Sequence, residues 1–219
     1  MAMGWKKALA IWTVLMLPMA GLHSAYATPE KAWAIRMKGA IALQPNQACV
    51  RRVESKRSFQ NYAREKGEKS ESAQHVPTDE EIGVLAELYS ADLACDKLAI
   101  EGVAKVSPAF VTWIAMISVR RDQRRLKLMS KSMSWVAYDL GRWDDVLEDS
   151  KQIDAIQAQM AEIVDKPLEW QAYEIEQQHL AARWLQTWSA LQQQIQALSP
   201  SGRSMTIVNC TYEGLKLRC

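Results

Sequence analysis

The stretch Ser107-Pro108-Ala109-Phe110-Val111-Thr112-Trp113-Ile114-Ala115-Met116-Ile117-Ser118-Val119-Arg120-Arg121 decides the fold. It opens with a serine hydroxyl suited to cap free backbone N–H groups, followed by proline at the first helical position, where no donor is needed. From Phe110 to Val119 the helix is apolar nearly all round, so it has no face to offer water and should lie centrally. That run covers ten residues and ends at Arg120-Arg121, whereas a bilayer-spanning helix needs about 20. A central soluble helix needs others around it.

Upstream, Thr78-Asp79-Glu80-Glu81 follows Pro77 as a capping box. It opens a long helix with Ile82, Leu85, Leu88, Tyr89, Leu93, Leu98 and Val103 near helical spacing, which Gly83 and Gly102 weaken. Earlier still, Thr28-Pro29 starts a helix to about Leu43, and Pro45-Asn46 breaks or kinks it. A second segment from Gln47 to about Lys66 carries Cys49, Val50, Val53, Phe59 and Tyr62, before a polar bend at 67–77.

Downstream, the helix begun at Ser107 is expected to run through Leu140 and stop at Gly141. The next should span Asp144 to Val164, with Asp144, Asp145, Glu148 and Asp149 in its first turns, where the macrodipole favours negative charge. After the turn Asp165-Lys166-Pro167, a last helix covers Leu168 to Leu198. The stripes Val146, Ile153, Ile156, Met160, Ile163 and Tyr173, Leu180, Trp184, Leu191, Ile195, Leu198 suit an antiparallel pair packed like a short coiled coil. Ser199-Pro200-Ser201-Gly202 links to alternating segments at Met205–Thr211 and Leu215–Cys219, a small hairpin. The expectation is an all-α bundle of five to six helices in up-down hairpins, with a small C-terminal β-hairpin. Its divisions are residues 1–27, 28–198 and 199–219.

Residues 1–27 read as a cleavable signal peptide. Lys6 and Lys7 precede an apolar stretch from Ala8 to Ala20, interrupted by Pro18, and Ala25-Tyr26-Ala27 supplies the small-residue site. Cleavage after Ala27 implies a periplasmic or secreted product with no stable membrane span. The 27 Lys and Arg and 25 Asp and Glu include two lysines in that leader, so the mature part is near neutral. A nucleic-acid partner, which calls for a positive excess, is not expected.

Four cysteines in an oxidising compartment imply disulfides. Cys49 and Cys95 are equidistant from residue 72 in the polar bend, so they face each other across a helical hairpin. Cys210 and Cys219 flank the Tyr212-Glu213-Gly214-Leu215 turn and should clip the terminal hairpin.

Signals for chemistry are sparse. Glu176 and His179 match one half of a carboxylate-bridged di-iron pattern, but no second copy exists and the other mature histidine, His75, lies in a polar loop. There is no Gly-x-Ser-x-Gly elbow and no glycine-rich phosphate loop, so no catalytic residue, metal or cofactor is assigned. Glu169, Glu174 and Glu176 lie near Trp170, Tyr173 and Trp184, a grouping that could stack a sugar or, in a cell-wall hydrolase, cleave one. Charge is the most patterned feature. Residues 120–131 carry six bases against one acid, and residues 139–149 five acids against one base. Arg120, Arg121, Arg124 and Arg125, with Trp170, Tyr173 and Trp184, are therefore the candidate partner-binding residues. The expected function is an envelope protein acting by protein–protein binding, as an inhibitor, immunity partner, chaperone or assembly factor. The alternatives are a glycan or small-molecule binder and a cell-wall hydrolase.

Overall fold

The computed structural model describes residues 29–56, 76–199, 208–213 and 216–219; the expected leader, most of the 67–77 bend with Phe59 and Tyr62, and the 200–207 linker lie outside them. Six helices are present there: α1 (Pro29–Ala42), α2 (Gln44–Lys56), α3 (Asp79–Val103), α4 (Pro108–Met129), α5 (Trp135–Ile163) and α6 (Pro167–Ala197). Strands β1 (Thr211–Glu213) and β2 (Lys216–Arg218) pair antiparallel, with Tyr212 opposite Leu217. The architecture is an all-α bundle with a small C-terminal hairpin. Among the described residues no helix is long and apolar enough to cross a membrane.

Both anticipated caps form. Thr78 and Glu81 close a reciprocal capping box on α3, and the Ser107 hydroxyl accepts from Ala109 N at the start of α4. Helix α4 is the axis of the bundle. Phe110, Val111, Ala115 and Val119 are buried, and α3, α5 and α6 all pack around it. The Cys49–Cys95 bridge joins α2 to α3 with Cα atoms 5.4 Å apart, and Cys210–Cys219 closes the hairpin. The hairpin sits on α6, where the buried Gln192 accepts from Val208 N at 2.7 Å.

Three expectations need correction. The helix begun at Ser107 does not reach Leu140. It ends at Met129, where Lys131 takes a left-handed φ of 58° and the N–H groups of Lys131 and Ser132 return to the carbonyls of Leu128 and Lys127, a Schellman turn. A new helix then starts on the Ser134 cap. Gly141 therefore lies inside α5, and its role is space: a Cβ there would stand 2.6 Å from Arg124 Nε. Finally, α5 and α6 barely touch. Helix α6 lies chiefly along α4, while α5 packs on α4 and α1. The axial helix is apolar on several sides, so each amphipathic neighbour buries its stripe against it rather than against the other. The fully buried tryptophan of α6 is accordingly Trp188, not Trp184. Gly102 has a packing reason as well, since a Cβ there would meet the Ala42 carbonyl oxygen at the crossing of α1 and α3.

Candidate functional site

The second half of α4 also packs between helices, less deeply than the first, and it is built from charges. Arg120 and Arg124 lie one turn apart and face α5, which offers Asp149 and Asp145 at the same spacing. The Arg120 and Arg124 guanidiniums each come within 2.9 Å of their carboxylate. Arg121 and Arg125 face α3 in the same way, towards Asp96 and Asp92, at 3.1 and 2.6 Å. Four-residue steps match because i and i+4 share a helix face, and antiparallel neighbours reverse the order of the partners.

Asp122 points the third way and is fully buried. Its Oδ2 accepts from Tyr89 Oη and from Trp188 Nε1, both at 2.7 Å, so it ties α3, α4 and α6 together. Arg121 Nε and Arg125 Nη1 approach its other oxygen at 3.3 and 3.4 Å. The Arg125 guanidinium also lies over the Tyr89 ring, 4.7 Å from its centroid, a cation–π contact in an enclosed setting. Burial, then the charge and hydrogen bond of Asp122, push the Tyr89 phenol far above its ordinary range.

Burial opposes the charge on Arg121 and Arg125, but the carboxylates around them outweigh it and hold both above the ordinary guanidinium value. Burial likewise pushes the Asp96 carboxyl up, against the downward pull of Arg121. Asp149 is pushed up to about 6, first by burial and then by Asp145 and Glu148, with Arg120 and Arg124 pulling the other way. Although Arg120 lies near, Asp149 Oδ1 has no donor in hydrogen-bonding geometry.

Of the seven candidate partner-binding residues, the four arginines are thus engaged internally, with side-chain exposures of 22, 28, 16 and 8% for Arg120, Arg121, Arg124 and Arg125. The adjoining blocks of bases and acids form two interhelical ladders. Tyr173 is buried, and Trp170 and Trp184 are half-buried against the core. Burial pushes the Tyr173 phenol up to about 12, with Glu176 adding to it. Glu169, Glu176 and His179 are exposed and Glu174 is half-buried. Among the described residues no three His, Cys, Asp or Glu side chains are grouped to hold a metal ion.

Two features were not anticipated. A cleft of about 350 Å³ opens between α2, α3, α4 and α5, floored by Trp113, Ile114 and Ile153, with Arg142 and Asp149 in its wall. On the opposite face of α5, Leu140 and Leu147 are each 64% exposed and Val136 37%. The matched spacing of Asp92 and Asp96 against Arg121 and Arg125 was a signal available in the sequence. The cleft and the exposed stripe carried none, because each depends on which helix covers which. No family model, curated protein or solved structure matches this chain.

Proposed function

We propose that this is an exported envelope protein that works by binding a protein partner, and that the outer face of α5 is where the partner docks. The two disulfides belong to an oxidising compartment, and the leader-like N-terminus supports the periplasm or the exterior. The observation that carries the docking surface is the exposed row Val136, Leu140 and Leu147. These residues recur at helical spacing over roughly 16 Å of axis, bordered by the exposed acids Asp144 and Glu148. A row of large apolar side chains left in water is unfavourable unless it is covered in use. Its chemistry suits an apolar groove edged with basic residues, the row falling at i, i+4 and i+11 on one face of a helix laid in a groove.

The test is capture from envelope extract by the wild-type protein and by a Leu140→Asp/Leu147→Asp variant. A stoichiometric partner held by the wild type and lost by the variant, with unchanged melting, supports the assignment. Equal capture by both proteins, or none by either, overturns it. A second reading, binding of a small molecule, is favoured by the cleft.

A further inference from the structure

The cleft lies on the inner side of α5, away from the docking row, and its unmet valences describe a ligand. Its volume of about 350 Å³ sits at the small end of the roughly 300–1,000 Å³ typical of ligand pockets. Charge within it is nearly accounted for. Arg121, Arg124 and Arg125 are matched to Asp96, Asp145 and Asp92. Arg142, exposed at the cleft edge, has no ion pair among the described residues. Deeper in, Asn46 is 3% exposed and donates to the Cys95 carbonyl at 2.7 Å, while its own Oδ1 has no partner. Asp149 also lines the cleft; its Oδ1 lies 2.9 Å from Arg120 Nη1, though outside hydrogen-bonding geometry. A buried acceptor without a donor costs about 1–3 kcal/mol, so Asn46 Oδ1 asks for an N–H group, and the Asp149 carboxylate can share a second cation with Arg120. Trp113, Ile114 and Ile153 supply an apolar surface between.

The spacing of the two poles selects the length. Arg142 and Asp149 share one face of α5 seven residues apart, roughly 10 Å along the axis. A free amino acid is too short to reach both, whereas an extended chain covers about 3.3–3.6 Å per residue, so two or three residues fit. We propose that the cleft binds a short free peptide of two or three residues carrying an apolar side chain. Its carboxylate pairs with Arg142, its ammonium meets Asp149 and Asn46, and its side chain lies on Trp113 and Ile153.

Isothermal titration of the full chain with the free tripeptide alanyl-leucyl-alanine tests this. One-to-one binding is expected, weakened about tenfold by amidating the C-terminus and by a similar factor on acetylating the N-terminus, since each removes a charge-assisted contact. Arg142→Gln should reproduce the amidation loss and show no further loss with the amidated peptide, which a merely structural role for Arg142 would not produce. Asp149→Asn should do the same for acetylation. The Leu140→Asp/Leu147→Asp variant should bind the tripeptide as the wild type does, which separates this site from the docking face. Absence of binding to folded wild-type protein overturns the proposal. So does equal affinity for the doubly capped peptide, or for free leucine.

Discussion

The two halves of α4 are held between their neighbours by opposite means, the apolar half buried and the charged half partly so. From Phe110 to Val119 the helix is enclosed because its apolar side chains leave water, a non-directional gain that roughly follows area. From Arg120 to Arg125 every arginine meets a carboxylate on a neighbouring helix, and Asp122 meets Tyr89 and Trp188. The first half tolerates any neighbour with an apolar stripe. The second half tolerates only neighbours whose carboxylates fall at the right turn and in the right order. The difference teaches that the apolar half brings the helices together, and the charged half selects the register in which they sit.

Breaking the charged half at its centre should have the largest effect. Asp122→Ala leaves Tyr89 Oη and Trp188 Nε1 without acceptors and two guanidiniums short of an anion, and should cost about 3–5 kcal/mol in urea unfolding. A smaller loss, near that of deleting one methyl in the apolar half, would erase the distinction between the halves.

A double-mutant cycle sharpens the point. Asp96→Leu takes the paired carboxylate from Arg121 and leaves it the 3.3 Å approach to Asp122, and should cost about 3 kcal/mol. Asp96→Leu with Arg121→Met removes both charges and should return to within about 1 kcal/mol of the wild type, because a matched pair stabilises little beyond an apolar replacement. Additive losses would show that the pair contributes stability rather than register.

The third test is pH. Asp149 is raised to about 6 in the fold from an ordinary carboxylate value of 3.8. Between those values the folded state holds more proton than the unfolded chain, so stability should fall as pH rises from about 4 to about 6 and be level above. The span attributable to Asp149, facing Arg120, Arg124, Asp145 and Glu148, should be about 1–2 kcal/mol. It is read as the difference between melting curves of the wild type and Asp149→Asn, since burial raises Asp96 and Asp154 in the same sense. A difference independent of pH would show that Asp149 is ionised as in water.

The smallest effect lies just past the charged half. Lys131 holds a left-handed φ of 58° and its ammonium pairs with the exposed Asp79. Lys131→Gly should therefore raise the melting temperature slightly, by about 0.5–1 kcal/mol of added stability. A loss would mean that the ion pair outweighs the backbone cost.

Much of the bundle was legible because its signals are local. Thr78 with Glu81, Ser107 with Pro108 and the apolar run to Val119 each act within one or two turns of helix, and the symmetry of Cys49 and Cys95 about a polar bend needed only hairpin geometry. The errors came where a local rule met a distant partner. Gly141 reads as a helix stop until Arg124 is seen lying against it. The serines at 130, 132 and 134 mark the true break, but a lysine at the left-handed position hid it, since glycine is the residue that usually announces such a turn. The stripes of α5 and α6 told correctly that each has an inward face. They could not tell that both face α4, and the exposure of Leu140 and Leu147 follows from that choice.

By itself, then, the sequence determined that this chain makes capped helices around one apolar axis, closed by two cross-links. Periodicity, caps and cysteine spacing are properties of neighbours along the chain. Only the tertiary structure decided that Arg120, Arg121, Arg124 and Arg125 turn inward, that Trp170, Tyr173 and Trp184 pack against the core, and that a cleft and the outer side of α5 are left open. An amphipathic pattern fixes which side of a helix is buried. What buries it depends on the competition among all the other helices for the same axis.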